Sequence, residues 1–301
     1  MDNITHGLIG LTVNSLLKQK DRTTFWVSLV ASEIPDIDIL YRFKGQTDYL
    51  LNHRGFSHSL PGLLLLAAAV TLIACRLWPG ADRKRIFLLA SLCLGLHVTF
   101  DLFTSWGTRL FFPFSKRWLY LDFVPIVDLV IIIIAVISLA VHRLAGGRRR
   151  LFPAAGALLI CLFVLGRFAC HEYLVAKYRS FYPGAGVSVL ADFSPLRWKV
   201  IVEQQDCLLS GKIDLRELGQ SPPGLSSTPV PPVNTDKYAA HPIFAAVHHF
   251  FRYPVYTFKE QSDGRVLVVR DFYYNFREVM FPLDGNDNIA GDPLPGRAAG
   301  K

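Results

Sequence analysis

Charge is scarce in this sequence. Only 19% of its 301 residues are Asp, Glu, Lys or Arg, against roughly 25% in an average soluble domain. A chain so poor in charge is ill suited to a wholly aqueous surface. Acids are scarcer still, 24 against 32 bases, which leaves a net charge of +8. That surplus does not read as a nucleic-acid footprint, because the bases are scattered among short loops; Lys and Arg gather in the cytoplasmic loops of membrane proteins. Paired cysteines are also missing. The five cysteines, at 75, 93, 161, 170 and 207, form no C-x-x-C pair, and four sit in apolar runs. A thiolate metal site or a disulfide framework is therefore not expected, and packing as small hydrophobes is. Met1-Asp2-Asn3 lacks the basic region of a cleaved signal peptide, so the N-terminus is expected to be retained. No internal repeat is visible.

What is present is apolar, at 51% of residues with a mean hydropathy of +0.31. Four long apolar runs stand out: Leu60 to Trp78, Ile86 to Ser105, Phe123 to His142 and Leu151 to Cys170. Each approaches the roughly 20 residues that a helix needs to cross a bilayer. The third contains Ile131-Ile132-Ile133-Ile134, whose β-branching would suit a strand in water. In lipid the demand for internal hydrogen bonding favours helix. Two shorter segments precede them, Thr5 to Leu17 and Phe25 to Leu40, and are expected to enter the membrane as a helical hairpin.

Beyond Cys170 the runs shorten and turn residues appear. Trp198–Val202 and Arg265–Arg270 read as strands, Gln220–Asn234 as a loop, and Pro293–Lys301 as a frayed tail. The expected fold is an all-α membrane domain over residues 1–170, with about four long transmembrane helices plus two short N-terminal membrane helices. A small β-rich soluble domain follows over 171–301. Arg83, Lys84 and Arg85 in one connection, and Arg143, Arg148, Arg149 and Arg150 in another, are separated by an even number of crossings. The positive-inside rule makes their side cytoplasmic, with Lys18, Lys20 and Arg22 joining if the first two segments pair. The loop 106–122 and the C-terminal domain then face outward.

The polar residues left within this apolar frame carry the chemistry. His6 lies in the first segment. Glu33, Asp36 and Asp38 form E-x-x-D-x-D at the end of the second. His53, Arg54 and His58 precede the first long run. His97 and Asp101 lie at i and i+4 in the second, on one helix face. Asp122 and Asp128 bracket the start of the third. The topology brings nearly all of these to the outward end. An ionisable residue inside a span costs at least about 2.5–3.5 kcal/mol, and clustered carboxylates repel; a divalent cation offsets both. His6, Asp36, His58, His97 and Asp101 are the candidate metal ligands. Imidazole with carboxylate suits zinc foremost, with manganese or iron also compatible. Glu33 and Asp38 are candidates for a general base or a cap. His53 and Arg54 are candidates for orienting ligands or, with Arg109, for holding a phosphate. Ser57-His58-Ser59 lacks the strand–turn–helix context of a nucleophilic serine. His241, His248 and His249 read as structural.

T-H-G-L-I-G at 5–10, E-I-P-D-I-D at 33–38, H-R-G-F-S-H-S at 53–59 and H-V-T-F-D at 97–101 form an ordered set. T-S-W-G-T-R-L at 104–110 and P-I-V-D at 125–128 extend it. Together they resemble the YdjM-type family of inner-membrane proteins, regarded as metal-dependent hydrolases under LexA regulation, over roughly residues 1–170. The resemblance implies a multi-pass protein of the bacterial inner membrane that acts on an ester or phosphoester of a lipid or envelope substrate, in phospholipase-like fashion. Membrane lipids are then the expected partners, and nucleic acid is not. The rival readings are a non-enzymatic membrane scaffold or stress-response protein with a structural metal, and a transporter. The latter is disfavoured because the acids sit near one face and no repeat pair is evident.

Overall fold

A computed structural model describes residues 1–147, 149–217, 224–230, 233–261, 264–272, 278–291 and 293. The chain divides into two compact units. Unit 1 is 1–38, 54–202 and 210–226; unit 2 is 39–53, 203–209 and 227–301.

Unit 1 is built on helices α1 (Asn3–Leu16), α2 (Arg22–Glu33), α4 (Leu60–Leu77), α5 (Arg83–Leu102), α6 (Leu129–Leu144) and α7 (Leu151–Phe181). All but α7 start at a side chain that accepts the first orphan amides. Asp2 accepts from Thr5 N, Asp21 and Thr24 form a reciprocal capping box, Ser59 caps α4, Asp82 caps α5 and Asp128 caps α6. The third apolar run was expected to begin its helix at Phe123. It begins at Leu129 because the Asp128 carboxylate takes the Val130 and Ile131 amides at 2.9 and 3.2 Å. Asp128 is thus a helix cap. The fourth helix outruns its apolar stretch, continuing past Cys170 to Phe181 through residues of good helix propensity. After α2 the chain tightens into a 3₁₀ segment, Ile34–Lys44, far longer than the usual three or four residues of such a helix.

Three helices, α4, α5 and α7, are long and apolar enough to cross a membrane; α6 is apolar but shorter. Val27 and Ala31 of α2, Ala67 and Val70 of α4, and Ala90 and Leu94 of α5 form a core shared by those three helices. Close approaches depend on glycine. A Cβ on Gly10 would lie 2.4 Å from Ser32 Oγ and 2.6 Å from the Ser28 carbonyl, so α1 and α2 touch backbone to backbone. Gly156 meets Ser138 in the same way where α7 crosses α6. The unit closes with β1 (Gly186–Ala191) and β2 (Arg197–Glu203), in a four-stranded sheet whose order follows the sequence through β3 (Cys207–Asp214) and β4 (Ser226–Pro229). Arg167 of α7 is buried beneath it, donating to the carbonyls of Phe123 (3.0 Å) and Pro195 (2.8 Å) and lying 4.3 Å over the Trp198 ring.

Unit 2 holds α3 (Gln46–Asn52), α8 (Pro242–Phe250) and an antiparallel sheet of β5 (Pro254–Gln261), β6 (Gly264–Asp271) and β7 (Glu278–Pro282), with Tyr256 opposite Val269 and Val268 opposite Met280. Tyr49, Leu50, Phe244, Leu267 and Phe281 form its core. Both expected strands are present, as β2 and β6. The expected loop over Gln220–Asn234 contains the short strand β4, which ends the sheet; an exposed edge strand tolerates the Ser-Ser-Thr-Pro composition that reads as loop. Residues 218–223 and 231–232 of that stretch, and the expected tail apart from residue 293, lie outside the described residues. All five cysteines are free.

The α1–α2 contact yields a test. Gly10→Val should lower stability by about 1–3 kcal/mol through overpacking, read as a fall in melting temperature in detergent. Gly95→Ala, where an added Cβ meets nothing within 4 Å, should leave it unchanged or raised.

Candidate metal centre

Four side chains of unit 1 converge where α2 and α5 end and the segment before α4 begins. One atom from each of Asp36, His58, His97 and Asp101 lies within 4.8 Å of the others, a group that could hold a metal ion. His58 Nε2 stands 3.3 Å from His97 Nε2, 3.4 Å from Asp36 Oδ1 and 3.3 Å from Asp101 Oδ2. His97 Nε2 stands 3.8 Å from Asp36 Oδ1 and 3.5 Å from Asp101 Oδ2. A tetrahedron whose vertices lie about 2.0–2.1 Å from a central zinc has edges of about 3.3–3.4 Å. Five of the six donor separations thus lie within about 0.5 Å of such edges, and all six within 4.8 Å.

The hydrogen bonds behind the imidazoles point the same way. His97 Nδ1 lies 2.7 Å from the Ser32 carbonyl, an acceptor only, so Nδ1 carries the proton and Nε2 the lone pair. His58 Nδ1 is 3.0 Å from Ser57 Oγ and 3.4 Å from Asp38 Oδ2, and Ser57 Oγ donates to the same carboxylate at 3.5 Å. That relay protonates His58 at Nδ1 as well. Two nitrogen lone pairs then face each other beside two carboxylates, with His58, His97 and Asp101 fully enclosed. The donor set fits a divalent cation, and the backing groups are of the kind that fix tautomer and orientation in metal sites.

Local chain features hold these groups. Gly62 is required beneath the turn Phe56–His58, since a Cβ there would fall 1.8 Å from the Phe56 carbonyl. Arg54 adopts φ +50°, a left-handed conformation that costs a non-glycine residue about 1 kcal/mol or more. Its amide donates to Asp38 Oδ2 at 2.6 Å and its carbonyl accepts from Arg109 N at 3.1 Å, which fixes that conformation. The Arg54 guanidinium is directed to Asp101 Oδ1 at 2.9 Å and to the Gly107 carbonyl at 3.1 Å. The Met1 ammonium also contacts Asp101 Oδ1.

The remaining expected residues fall in distinct places. His6 stacks on His97 with ring centroids 3.7 Å apart, and its Nε2 lies 3.4 Å from Asp101 Oδ1. Glu33 stands beside Asp36, joined to it by the Asn3 amide, which donates to both carboxylates at 3.0 Å. Asp38 sits behind His58. His53 falls in unit 2, where its ring stacks on Tyr49 at 4.8 Å. Arg109 lies buried, 5.3 Å from the rings of both Phe112 and Trp118. A cleft of about 350 Å³ opens beside the group, lined by Asn3, Glu33 and Asp36 and walled by Leu29, Val30 and Ile37. Asp36 is its most accessible ligand candidate, with the side chain 20% exposed.

Asn3, Ser57 and the Ser32 carbonyl escaped the sequence reading. Asn3 precedes His6 by one helical turn and so shares its face, a signal that was available. A backbone carbonyl leaves none.

The family model described as YdjM inner membrane protein matches residues 1–173. "Uncharacterized protein YfhP" of Bacillus subtilis (strain 168) is 28% identical over 174 residues, 55% of this chain and 53% of that protein. The chain thus spans about half the length of this curated relative. No solved structure matches the chain.

If Asp38 orients His58, Asp38→Asn should weaken zinc binding about 10–100-fold while leaving stoichiometry at saturation unchanged. A competition titration against a chromogenic chelator measures this.

Proposed function

We propose, from the premise that this chain belongs to the YdjM inner membrane protein family, that it is a membrane-embedded, metal-dependent hydrolase acting on an ester or phosphoester of a lipid or envelope substrate. The observation that carries the reading is the group Asp36, His58, His97 and Asp101, whose donor atoms lie within 4.8 Å of one another, with a carboxylate outside the set, Glu33, in the adjoining cleft. Zinc suits two imidazoles and two carboxylates, and manganese or iron also fit that donor chemistry. A bound cation supplies Lewis acidity at the scissile group and makes water acidic enough to react near neutral pH. Glu33 accepts the proton that water gives up, oriented by the Asn3 amide. Asp38 and Arg54 act one layer back, holding His58 and Asp101 in place. His6 packs against His97 and stands 3.4 Å from Asp101 Oδ1, on the side away from the cluster's donor atoms.

Depth in the membrane supports a lipid or envelope substrate. From Arg83 to Asp101 along α5 the rise is about 27 Å, close to the roughly 30 Å of a hydrocarbon core. The metal centre and the basic start of α5 then lie at opposite headgroup layers. In this reading α6 is a fourth crossing and α1–α2 a hairpin embedded beside it. The Asp2 amide bonds the Ile126 carbonyl before α6, whereas Lys20 meets His142 near its end, at 3.1 Å. Placing the basic end in the cytoplasm puts the metal centre and the C-terminal region outside.

A second reading has an observation of its own. Four protein ligands close a zinc site, and closed sites are structural, whereas catalytic ones keep a position for water. The metal would then brace a non-enzymatic membrane protein. The two readings part on Glu33→Gln. A hydrolase should lose about 100-fold or more of its turnover of a phospholipid and ester panel, with metal content and melting temperature kept. Turnover unaffected by this variant and by chelator, or purified protein without stoichiometric metal, rejects the hydrolase. A brace predicts a fall in melting temperature on chelation and no metal-dependent turnover to lose.

A further inference from the structure

The opposite end of unit 1 carries a feature independent of the metal centre. Three stretches meet there: the turn 17–22, the start of α5, and the α6–α7 connection. Arg85 binds the Gln19 carbonyl and reaches its side-chain oxygen at 3.2 Å. Arg150 donates to the Lys18 carbonyl at 3.4 Å, and Lys20 to the Gly147 carbonyl at 2.9 Å. These bonds gather bases that the sequence scatters. Two acids stand among them. Asp21 is 4.0 Å from Arg85, and Asp82 accepts from the Lys84 and Arg85 amides at 2.9 and 3.3 Å. Lys18, Arg22, Arg83 and Lys84 are exposed and make no ion pair among the described residues.

Beside this rim a groove of about 430 Å³ runs down α5. Lys84, Arg85 and Asp82 stand at its mouth, and Leu17, Leu88, Leu89 and Leu92 form its wall. Leu88 and Leu92 are 58% and 51% exposed, on a helix long and apolar enough to cross a membrane. An apolar wall under a cationic mouth matches an amphiphile with an anionic head. A free phosphate would leave the leucines uncovered. A zwitterionic lipid would bring its own cation to a rim already rich in uncompensated positive charge.

We propose that this groove holds one anionic phospholipid, its phosphate at Lys84 and an acyl chain along Leu88 and Leu92. Basic pockets between membrane helices bind acidic headgroups on the same electrostatic ground.

The full chain, stripped of lipid in detergent, is mixed with equal amounts of phosphatidylglycerol and phosphatidylcholine of identical acyl chains, and retained lipid is read by native mass spectrometry. The phosphatidylglycerol adduct should exceed the other about fivefold, equal to about 1 kcal/mol for one headgroup cation. Lys84→Gln should bring the ratio towards one, and Leu92→Trp, which fills the groove, should remove the adduct. Equal retention of both lipids overturns the proposal, as does a preference unchanged in both variants. Displacement by glycerol phosphate at the lipid's own concentration also overturns it, since phosphate alone would then suffice. Both changes lie on exposed positions, so an unchanged melting temperature in lipid-free detergent shows that the variants fold. Metal content is unchanged in both, which keeps this result separate from any result at the metal centre.

Discussion

Two imidazole nitrogens, on His58 and His97, approach within 3.3 Å of each other with their protons committed elsewhere. Lone pairs repel, and the two carboxylates beside them add negative charge where water has little access. Enclosing one ion uncompensated costs several kcal/mol even after relaxation. A positive charge has to lie among or against these groups for the packing to hold. Arg54 and the Met1 ammonium supply part of it on one side of Asp101. Asp101 Oδ2 and the two Nε2 atoms face one another on the other side, in a group that could hold a metal ion. Much of the surrounding backbone serves this arrangement. Gly10 lets α1 pack against Ser28 and Ser32 of α2, and the Ser32 carbonyl meets His97 of α5. Gly62 lets the turn before α4 fold inward, and the left-handed Arg54 joins Asp38 to the loop that follows α5.

Run length carried much of the helical fold. The apolar runs became helices because lipid's demand for internal hydrogen bonds leaves little choice. His97 and Asp101 were legible because four residues along a helix return to one face. The helix starts were less so. Asp128, charged and next to an apolar run, looked like a candidate for chemistry and is an N-cap, a role that Asp takes equally well. The end of α7 was missed because hydropathy reports the lipid boundary and not the end of hydrogen bonding. The strand β4 was hidden by polar residues that an edge position permits.

The E-x-x-D-x-D motif shows the limit at the site itself. Asp36 was read as a ligand and Glu33 and Asp38 together as base or cap, and nothing in the sequence separates the tasks of those last two. The structure separates the three by what each one meets. Asp36 approaches His58 at Nε2 and Asp38 at Nδ1. Glu33, still on α2, faces the cleft with Asn3.

The same few helices serve both electrostatic ends of unit 1. Helix α5 begins at Asp82, Lys84 and Arg85 and ends at His97 and Asp101. The α1–α2 hairpin has Lys18 and Lys20 at its turn and His6 and Glu33 at its open end. Each end therefore constrains the other through rigid rods of fixed rise. Arg85 and Arg150 grip the turn at one end, and that grip sets how far the hairpin extends towards the other, where the Ser32 carbonyl must meet His97 within 2.7 Å. A slip of one residue along α1 or α2 would shift that carbonyl by about 1.5 Å and turn it by about 100°, enough to break the bond that fixes the His97 tautomer. Register in the hairpin is thus a condition for the candidate metal centre, and the close contacts at Gly7 and Gly10 resist such a slip.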